Sequence, residues 1–600
     1  MEDQKNFALA MALSVLLLVL YYMFFAGPQI EAAQEQAAIE AQIAENGYDS
    51  PEVPVSTPQE SVRIPIDTSS VEGSFELRGF RFDDIKLKDY DATLEEGSPP
   101  VTLLKPGAAT GEYSAYIQDN WAPVDGGNGA STDWQLVSGD TLTDSSPVVL
   151  RYQGEGFTVE RTVSASDRFL FTVSDRVTNT SGANLDLVRH GLSRQIGLPE
   201  DLTNFFILHE GPISVVDDRL FDMKYGKVEK ELRDSRTGDA GWVGLTDKYW
   251  LAAAVAPQGA TGNSNMTAEF EYLELNGSPV YDASYETTPL VLTPGTTVDS
   301  VGYLFTGAKE RDLLERLEDD YNIPEFNRAI DWGMLRILVK PMTTGLNWLG
   351  KTLGNYGVAI IVFTLLIKLV LFPLFNKQYR SMARMKKVAP ELKRMRERYS
   401  DENGQLSPEN RMALQQEMMK LYKKEGVNPL SGCLPIIPTI FIFFALYKTV
   451  LIDTELRHAP FMGYIQDLSA RESVNILNLF GLLPFEAPTA GIIAFLAIGP
   501  LALLYGATFS MMQTLQTPQG DPMQRKIFMA LPWVFMFILA PFAAGLLLYW
   551  VANNVFSFLQ SYIIYKRMGV EIPLEEWIAR KLGRRKALPD GVDVIPPEKE

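Results

Sequence analysis

The sequence predicts a polytopic α-helical membrane protein that carries one large β-sandwich outside the membrane, and three observations predict it. Six apolar runs of membrane length lie at 7–26, 357–375, 432–450, 489–512, 527–542 and 544–565, and 27–330 contains none. About twenty helical residues, at about 1.5 Å each, cross a hydrocarbon core roughly 30 Å thick. The long middle stretch reads as many short strands between turns. Basic residues crowd into one loop, the bias that orients a chain in a bilayer. The 600 residues carry a net charge of −20, yet the membrane-associated part is basic and the middle acidic. An acidic soluble domain is a poor nucleic-acid binder. Cys433 is the one cysteine, so no internal disulfide is possible.

Residues 1–26 read as an uncleaved N-terminal anchor. The uncharged run FALAMALSVLLLVLYYMFFA exceeds the apolar core of a signal peptide, and Tyr21–Phe25 stand where a cleavage site needs small residues. Residues 27–60, rich in Ala, Gln, Glu and Pro, form a flexible tether. From 61 to 325 the texture is that of a β-sandwich. GFTVERTVSASDRFLFTVSDRVTN (156–179) alternates with β-branched and aromatic residues, and turn signals recur as DGGNG (125–129), SGAN (181–184), NGSP (276–279) and TPGT (293–296). Its acidic residues show no metal-ligand spacing and read as a solvated surface. Residues 326–350 read as an interfacial amphipathic helix, with Trp332, Leu335, Leu338, Val339, Met342, Leu346 and Leu349 on one stripe and Pro341 kinking it.

The second span is placed at 351–376, followed by a basic cytoplasmic helical hairpin at 377–428. Ser407 caps its second helix with Pro408 at the first position. Met382, Met385, Leu392, Met395 and Tyr399 make one apolar stripe, and Met412, Met418, Met419, Leu421 and Tyr422 the facing one. The third span takes 429–450, bent at its start by Pro435 and Pro438. An outer loop takes 451–488, the fourth span 489–513, a cytoplasmic loop 514–526, the fifth span 527–542, the sixth 544–565 and a cytoplasmic tail 566–600. The basic loops place both termini inside. The sandwich then lies outside, which in a Gram-negative cell is the periplasm.

Lys368 interrupts the second apolar run about seven residues from its cytoplasmic end, with Thr364 four residues earlier on the same helix face. A charge there costs at least a few kcal/mol in hydrocarbon. The cores of the other spans contain no acidic residue to pair with it, so a water-filled cavity open to the cytoplasm is the economical solution. In the last span Tyr549, Asn553 and Ser557 repeat every four residues, and Thr508, Ser510 and Gln513 lie near the cytoplasmic end of the fourth. Interhelical hydrogen bonding alone would also explain such residues.

Several stretches resemble signatures of the YidC/Oxa membrane protein insertase family. They are LYKKEGVNPLSGCLPIIP (421–438), LRHAPF (456–461) with IQDLSA (465–470), DPMQRKI (521–527) and GLLLYWVANN (545–554). The order of anchor, large periplasmic domain, amphipathic helix and five-helix insertase core is similar to the Gram-negative YidC type. The resemblance implies an inner-membrane insertase and chaperone, not an enzyme, without cofactor or metal. It also implies a hydrated groove closed toward the periplasm that holds one positive residue. That residue is arginine in most members, and the matching position here is Lys368. Arginine stays charged, whereas a desolvated lysine can lose its proton.

Thr364 matches a polar position of the second span, and the final-span aromatic contact falls on Tyr549 or Trp550. Asn553, Ser557 and Gln513 complete the candidate groove. Met385, Lys386, Lys387, Met395 and Arg396 of the hairpin are candidates for recruiting partners. The implied partners are nascent membrane proteins, the ribosome, the Sec translocon (SecYEG and SecDF), the signal-recognition-particle receptor and membrane lipids. Two other readings compete. A secondary transporter would show internal repeats and a buried coupling acid, neither of which is evident. A membrane-anchored periplasmic carbohydrate-binding protein would place its function in the sandwich.

Overall fold

The computed structural model describes residues 62–107, 113–124, 132–199, 208–257, 265–275, 277–400, 407–426, 436–483, 496–516 and 522–570, apart from a few isolated positions. The expected anchor and tether lie outside the described residues, as do the start of the fourth span and most of the tail. The chain divides into two compact units, residues 1–334 with 452–454 and residues 335–451 with 455–600.

Among the described residues the first unit is a β-sandwich of a ten-stranded and a nine-stranded sheet. The alternating stretch 156–179 folds as Phe157–Asp167 and Leu170–Asn179, paired antiparallel from Phe157 opposite Asn179 onward. Valines 159, 163, 173 and 177 are buried, as the period of two requires. The SGAN and TPGT stretches connect successive strands. Gly277 makes its turn at φ +80°, where a side chain would be strained. Among the described residues this unit also holds two short α-helices, α1 (Tyr225–Glu231) and α2 (Arg311–Asp320).

Between the sheets lies a group of charges that the sequence did not disclose. Arg161 Nε and Nη2 donate to the Asp175 carboxylate at 2.7 and 2.8 Å, and Arg161 Nη1 donates to the Asp119 carbonyl at 2.6 Å. Arg189 Nε and the Tyr285 hydroxyl donate to the two Asp119 carboxylate oxygens at 2.7 and 2.6 Å. Trp121 Nε1 donates to Asp175 at 2.9 Å. Neither arginine retains any exposed side-chain surface. Burial alone would raise the Asp175 carboxyl, but Arg161 and Arg189 outweigh it and hold it below the usual carboxylate range. These acids are therefore not part of a solvated surface. They join strands Ser114–Pro123, Phe157–Asp167, Leu170–Asn179 and Leu185–Ile196 across the core.

Two histidines make this unit acid-sensitive. Burial pushes the His190 imidazole down to about 4, and burial likewise lowers His209 against the opposing pull of Asp222 and Asp331. An unfolded histidine titrates near 6.5, so between about pH 6.5 and 4 the unfolded chain binds more protons. Stability should therefore fall as the pH is lowered across that window, by up to about 1.4 kcal/mol per pH unit for His190, and His209 acts in the same direction. Thermal unfolding of the detergent-solubilised chain at pH 7, 6 and 5 checks this. A flat profile would refute it, and His190→Gln should remove part of the slope.

The second unit is helical. Helix α3 (Arg336–Leu353) buries Val339, Thr343, Leu346 and Leu349 and exposes Ile337 and Trp348. It begins ten residues later than the expected amphipathic helix, because Trp332 belongs to the sandwich unit. There Trp332 is buried, and its Nε1 donates to the Asn327 carbonyl at 2.9 Å. Helix α4 (Tyr356–Val370) is capped by Asn355, whose side chain accepts from the Val358 amide at 3.0 Å.

The expected continuous span 351–376 is broken. Helix α5 (Phe372–Tyr399) leaves α4 at a 71° bend. Pro373 lacks an amide and its ring opposes the Leu369 carbonyl, so α4 cannot continue through it. Helices α6 (Pro408–Lys424), α7 (Ile436–Ile452), α8 (Pro500–Gln516), α9 (Pro522–Leu539) and α10 (Ala544–Arg567) follow. Among the described residues no single helix is long and apolar enough to cross a membrane, while α4 and α5 pass that test only as a bent pair.

The hairpin of α5 and α6 forms with the predicted cap, Ser407 Oγ accepting from the Asn410 amide at 3.2 Å. Its seam is narrower than the two methionine stripes. Val388, Met395, Leu414 and Leu421 are buried there, with Leu392, Tyr399, Met418 and Tyr422 around them. Met412 is 63% exposed, and Met382 packs instead beside Tyr379 and Tyr565. Met395 is consequently a zipper residue and not an open recruitment contact. Lys387 is exposed, Met385 and Arg396 are partly covered, and Lys386 lies over the Tyr565 ring at 5.1 Å. Burial lowers the Lys386 ammonium to about 8.

Candidate functional site

Helices α4 and α10 pack together, and α8 packs against α10. Gly545 permits the approach near the start of α10, since a Cβ there would meet the Leu468 carbonyl oxygen at 2.9 Å and Ile360 Cδ1 at 3.2 Å. On α4 the buried residues Ile360, Thr364 and Lys368 recur every four residues, and on α10 Tyr549, Asn553 and Ser557 have the same spacing, Tyr549 and Ser557 buried and Asn553 half-buried. The two lines meet at one hydrogen bond, in which Lys368 Nζ donates to Ser557 Oγ at 2.7 Å.

Lys368 retains 8% of its exposure. Its ammonium also lies 4.2 Å from the centre of the Phe375 ring, a cation–π contact that offsets part of its lost hydration. The lysine is thus in the last turn of α4, two residues before Val370, and not seven residues inside a longer helix. It was expected in open water without a partner. The structure gives it a hydroxyl and an aromatic face instead, and among the described residues no carboxylate forms an ion pair with it.

The other candidates fall around this pair. Thr364 is buried and returns its hydroxyl to the Ile360 carbonyl at 2.7 Å, so it is satisfied within its own helix. Tyr549 is buried, whereas Trp550 is partly exposed among Phe443, Tyr505 and Phe542, with ring centres 5.1, 5.7 and 6.0 Å away. Asn553 and Gln513 are partly exposed. Asn554 Nδ2 reaches Thr508 Oγ1 at 3.4 Å, linking α10 to α8.

Two residues of the site were not found by sequence reasoning. Phe375 and Tyr379 lie seven and eleven residues after Lys368, beyond the bend, and pack into one buried cluster with Phe558 and Tyr565 of α10. The recurrence at helical spacing was visible. The fold-back that aims both rings at α10 was not.

Apolar side chains are exposed alongside. On α4 they are Leu365, Leu366, Leu369 and Val370, and on α9 Trp533, Val534, Phe535, Phe537 and Ile538. Surfaces of this kind face hydrocarbon or an apolar partner.

A family model described as 60Kd inner membrane protein matches residues 348–571, and one described as YidC periplasmic domain matches 63–344. Together they define an inner-membrane protein with a periplasmic domain. A relative named membrane protein insertase YidC in Maricaulis maris is 40% identical over 97% of this chain and 99% of its own. One of the same name in Rhizobium meliloti is 39% identical over 96% and 97%. The chain belongs to the YidC family of membrane protein insertases. A solved structure titled as an active YidC insertase with its first transmembrane domain resolved covers 88% of this chain and 99% of its own. Its 17% identity and TM-score of 0.35 add nothing to that assignment.

Proposed function

We propose that this chain inserts newly made proteins into the inner membrane and helps them fold, through a hydrated groove between α4 and α10 open to the cytoplasm and to lipid. The observation that carries the reading is the Lys368 ammonium, enclosed by a hydroxyl and an aromatic ring beside a flank of exposed apolar side chains.

A short acidic segment of a nascent chain takes the place of Ser557 as the ammonium's partner. The groove then supplies part of the hydration that hydrocarbon would strip from it. The adjoining apolar segment moves along the exposed flank into lipid, driven by burial at about 25 cal/mol per Å². The membrane potential assists outward movement of acidic residues by about 2.3 kcal/mol per charge per 100 mV. In this reading the chain crosses the membrane six times, with both termini in the cytoplasm. The hairpin, through Met385, Lys386, Lys387 and Arg396, meets ribosome-borne chains and the targeting receptor, and the insertase works alone or beside the Sec translocon.

Photo-crosslinkers placed at 364, 553 and 557 should capture the apolar segment of a stalled nascent membrane protein. Insertion without any such adduct would refute the groove. Removal of residues 61–310 should leave most insertion activity intact. Its loss would move the function to the sandwich.

A further inference from the structure

We propose that residues 475–483 of the outer loop insert into lipid, with their exposed apolar side chains among the acyl chains of the outer leaflet. The inference goes beyond the groove and rests only on the membrane topology of the reading above.

The stretch is built inside out. Asn475 and Asn478 keep 0% and 5% of their exposure, while Ile476, Leu479, Phe480, Leu482 and Leu483 are 41%, 53%, 48%, 82% and 40% exposed. A loop facing water gains by the opposite arrangement, with amides outside and apolar groups within. The asparagines serve as a scaffold. Asn478 Oδ1 accepts from the Asn475 and Gly481 amides at 2.9 and 3.0 Å, and Asn475 Oδ1 accepts from the Leu477 amide at 3.0 Å. The Asn475 and Asn478 side chains both donate to the Ser473 carbonyl, at 3.1 and 2.8 Å. Leu479 and Phe480 are held at φ +50° and +56°, a left-handed conformation that bulky residues adopt only when their surroundings impose it.

The backbone points to hydrocarbon as the occupant. Every amide from Asn475 to Leu483 donates to an acceptor within the chain. Water would satisfy such groups unaided, whereas lipid offers no acceptor and requires internal pairing. No residue from 473 to 485 is charged, and a protein-binding patch ordinarily carries a polar rim.

The position of the loop agrees. Glu472, just before it, accepts from the Leu501 and Ala502 amides of α8 at 2.8 and 3.2 Å, and the Ile476 amide donates to the Ile498 carbonyl at 3.0 Å. The Leu468 and Ala470 carbonyls accept from the Gly545 and Ala544 amides of α10 at 2.8 and 2.7 Å. The loop is thereby clipped to the starts of α8 and α10, which in the proposed topology are their periplasmic ends.

The test uses the full-length chain with Cys433→Ser, reconstituted in vesicles of phosphatidylethanolamine and phosphatidylglycerol. Leu479→Cys and Leu482→Cys each carry an environment-sensitive fluorophore. Gln135→Cys, at an exposed position of the sandwich, is the water reference, and Leu366→Cys, at an exposed position of α4, is the membrane reference. With iodide on both sides of the vesicle, the 479 and 482 labels should be quenched at least about fivefold less than the 135 label, as expected about 5–10 Å into the headgroup and acyl boundary. A nitroxide near the carboxyl end of the acyl chain should quench them more than one near its methyl end.

Iodide quenching at 479 and 482 equal to that at 135 would mark a water-exposed patch that awaits a protein. Shielding from iodide and from both nitroxides would mark cover by the chain itself. Either result overturns the proposal. The 366 label tests the topology separately. If no nitroxide quenches it, the membrane reading fails. If it is quenched while 479 and 482 are not, the lipid-inserting loop alone fails.

Discussion

Lys368→Glu should slow insertion of a substrate with an acidic translocated tail by about ten- to a hundredfold, and leave a neutral-tailed substrate within about twofold. The physical basis is a change of sign at an enclosed site. Two unit charges about 4 Å apart interact by about 4 kcal/mol at an effective dielectric of 20, and part of that, about 1.4–2.8 kcal/mol, corresponds to the expected range. Among the described residues no carboxylate pairs with Lys368, so a new glutamate would gain no cation beside it and would repel the incoming tail. Lys368→Arg should retain activity, because a guanidinium can also donate to Ser557 and stays charged. Lys368→Ala should fall between, since the polar wall of α10 remains. Reconstituted insertion into proteoliposomes, with protease protection of the translocated tail, reads all four. Equal insertion of the acidic-tailed substrate by Lys368→Glu and by the wild type would remove the electrostatic element altogether.

Asp119→Ala should destabilise the β-sandwich by about 3–5 kcal/mol, the usual consequence of removing one partner from a buried ion pair. Asp119 accepts from Arg189 and Tyr285 through its carboxylate oxygens, and its carboxylate also lies 3.3 Å from Arg161. Its removal leaves two guanidinium groups with a single carboxylate, Asp175, inside the core. Thermal unfolding of the full chain, followed by tryptophan fluorescence, should show a lower midpoint by on the order of 10 °C. Arg189→Met should cost less when added to Asp119→Ala than on its own, because the second change removes a stranded charge. A loss below about 1 kcal/mol for Asp119→Ala would mean that water compensates the arginines. If the sandwich is auxiliary, as proposed, insertion below the unfolding temperature should be nearly normal in this variant.

Much of the helical hairpin and of the sandwich was legible because its signals are local. Ser407 with Pro408 marks a helix start by short-range hydrogen bonding and fixed φ. The alternation in 156–179 marks two strands, since a pleated sheet has a period of two. Lys368 was legible because a lone charge in an apolar run must be explained. The methionine stripes overstated the seam. Met412 and Met382 share its sequence spacing, but the packing of the two helices leaves Met412 exposed and turns Met382 to a different cluster.

The sequence by itself determined the division into an acidic β-rich part and a basic helical part, the family, and the lone charge of the second apolar run, Lys368, on which the proposed groove rests. Those follow from composition, periodicity and motifs, which are properties of neighbouring residues. Tertiary structure decided what surrounds that charge. Only the break before Pro373 and the 71° turn bring Phe375 to Lys368, and only helix packing brings Ser557. The same holds for Asp119, Arg161, Asp175 and Arg189, which register across two sheets gathers from four strands. Contacts between residues far apart in the chain depend on how elements cross, and no local pattern encodes that geometry.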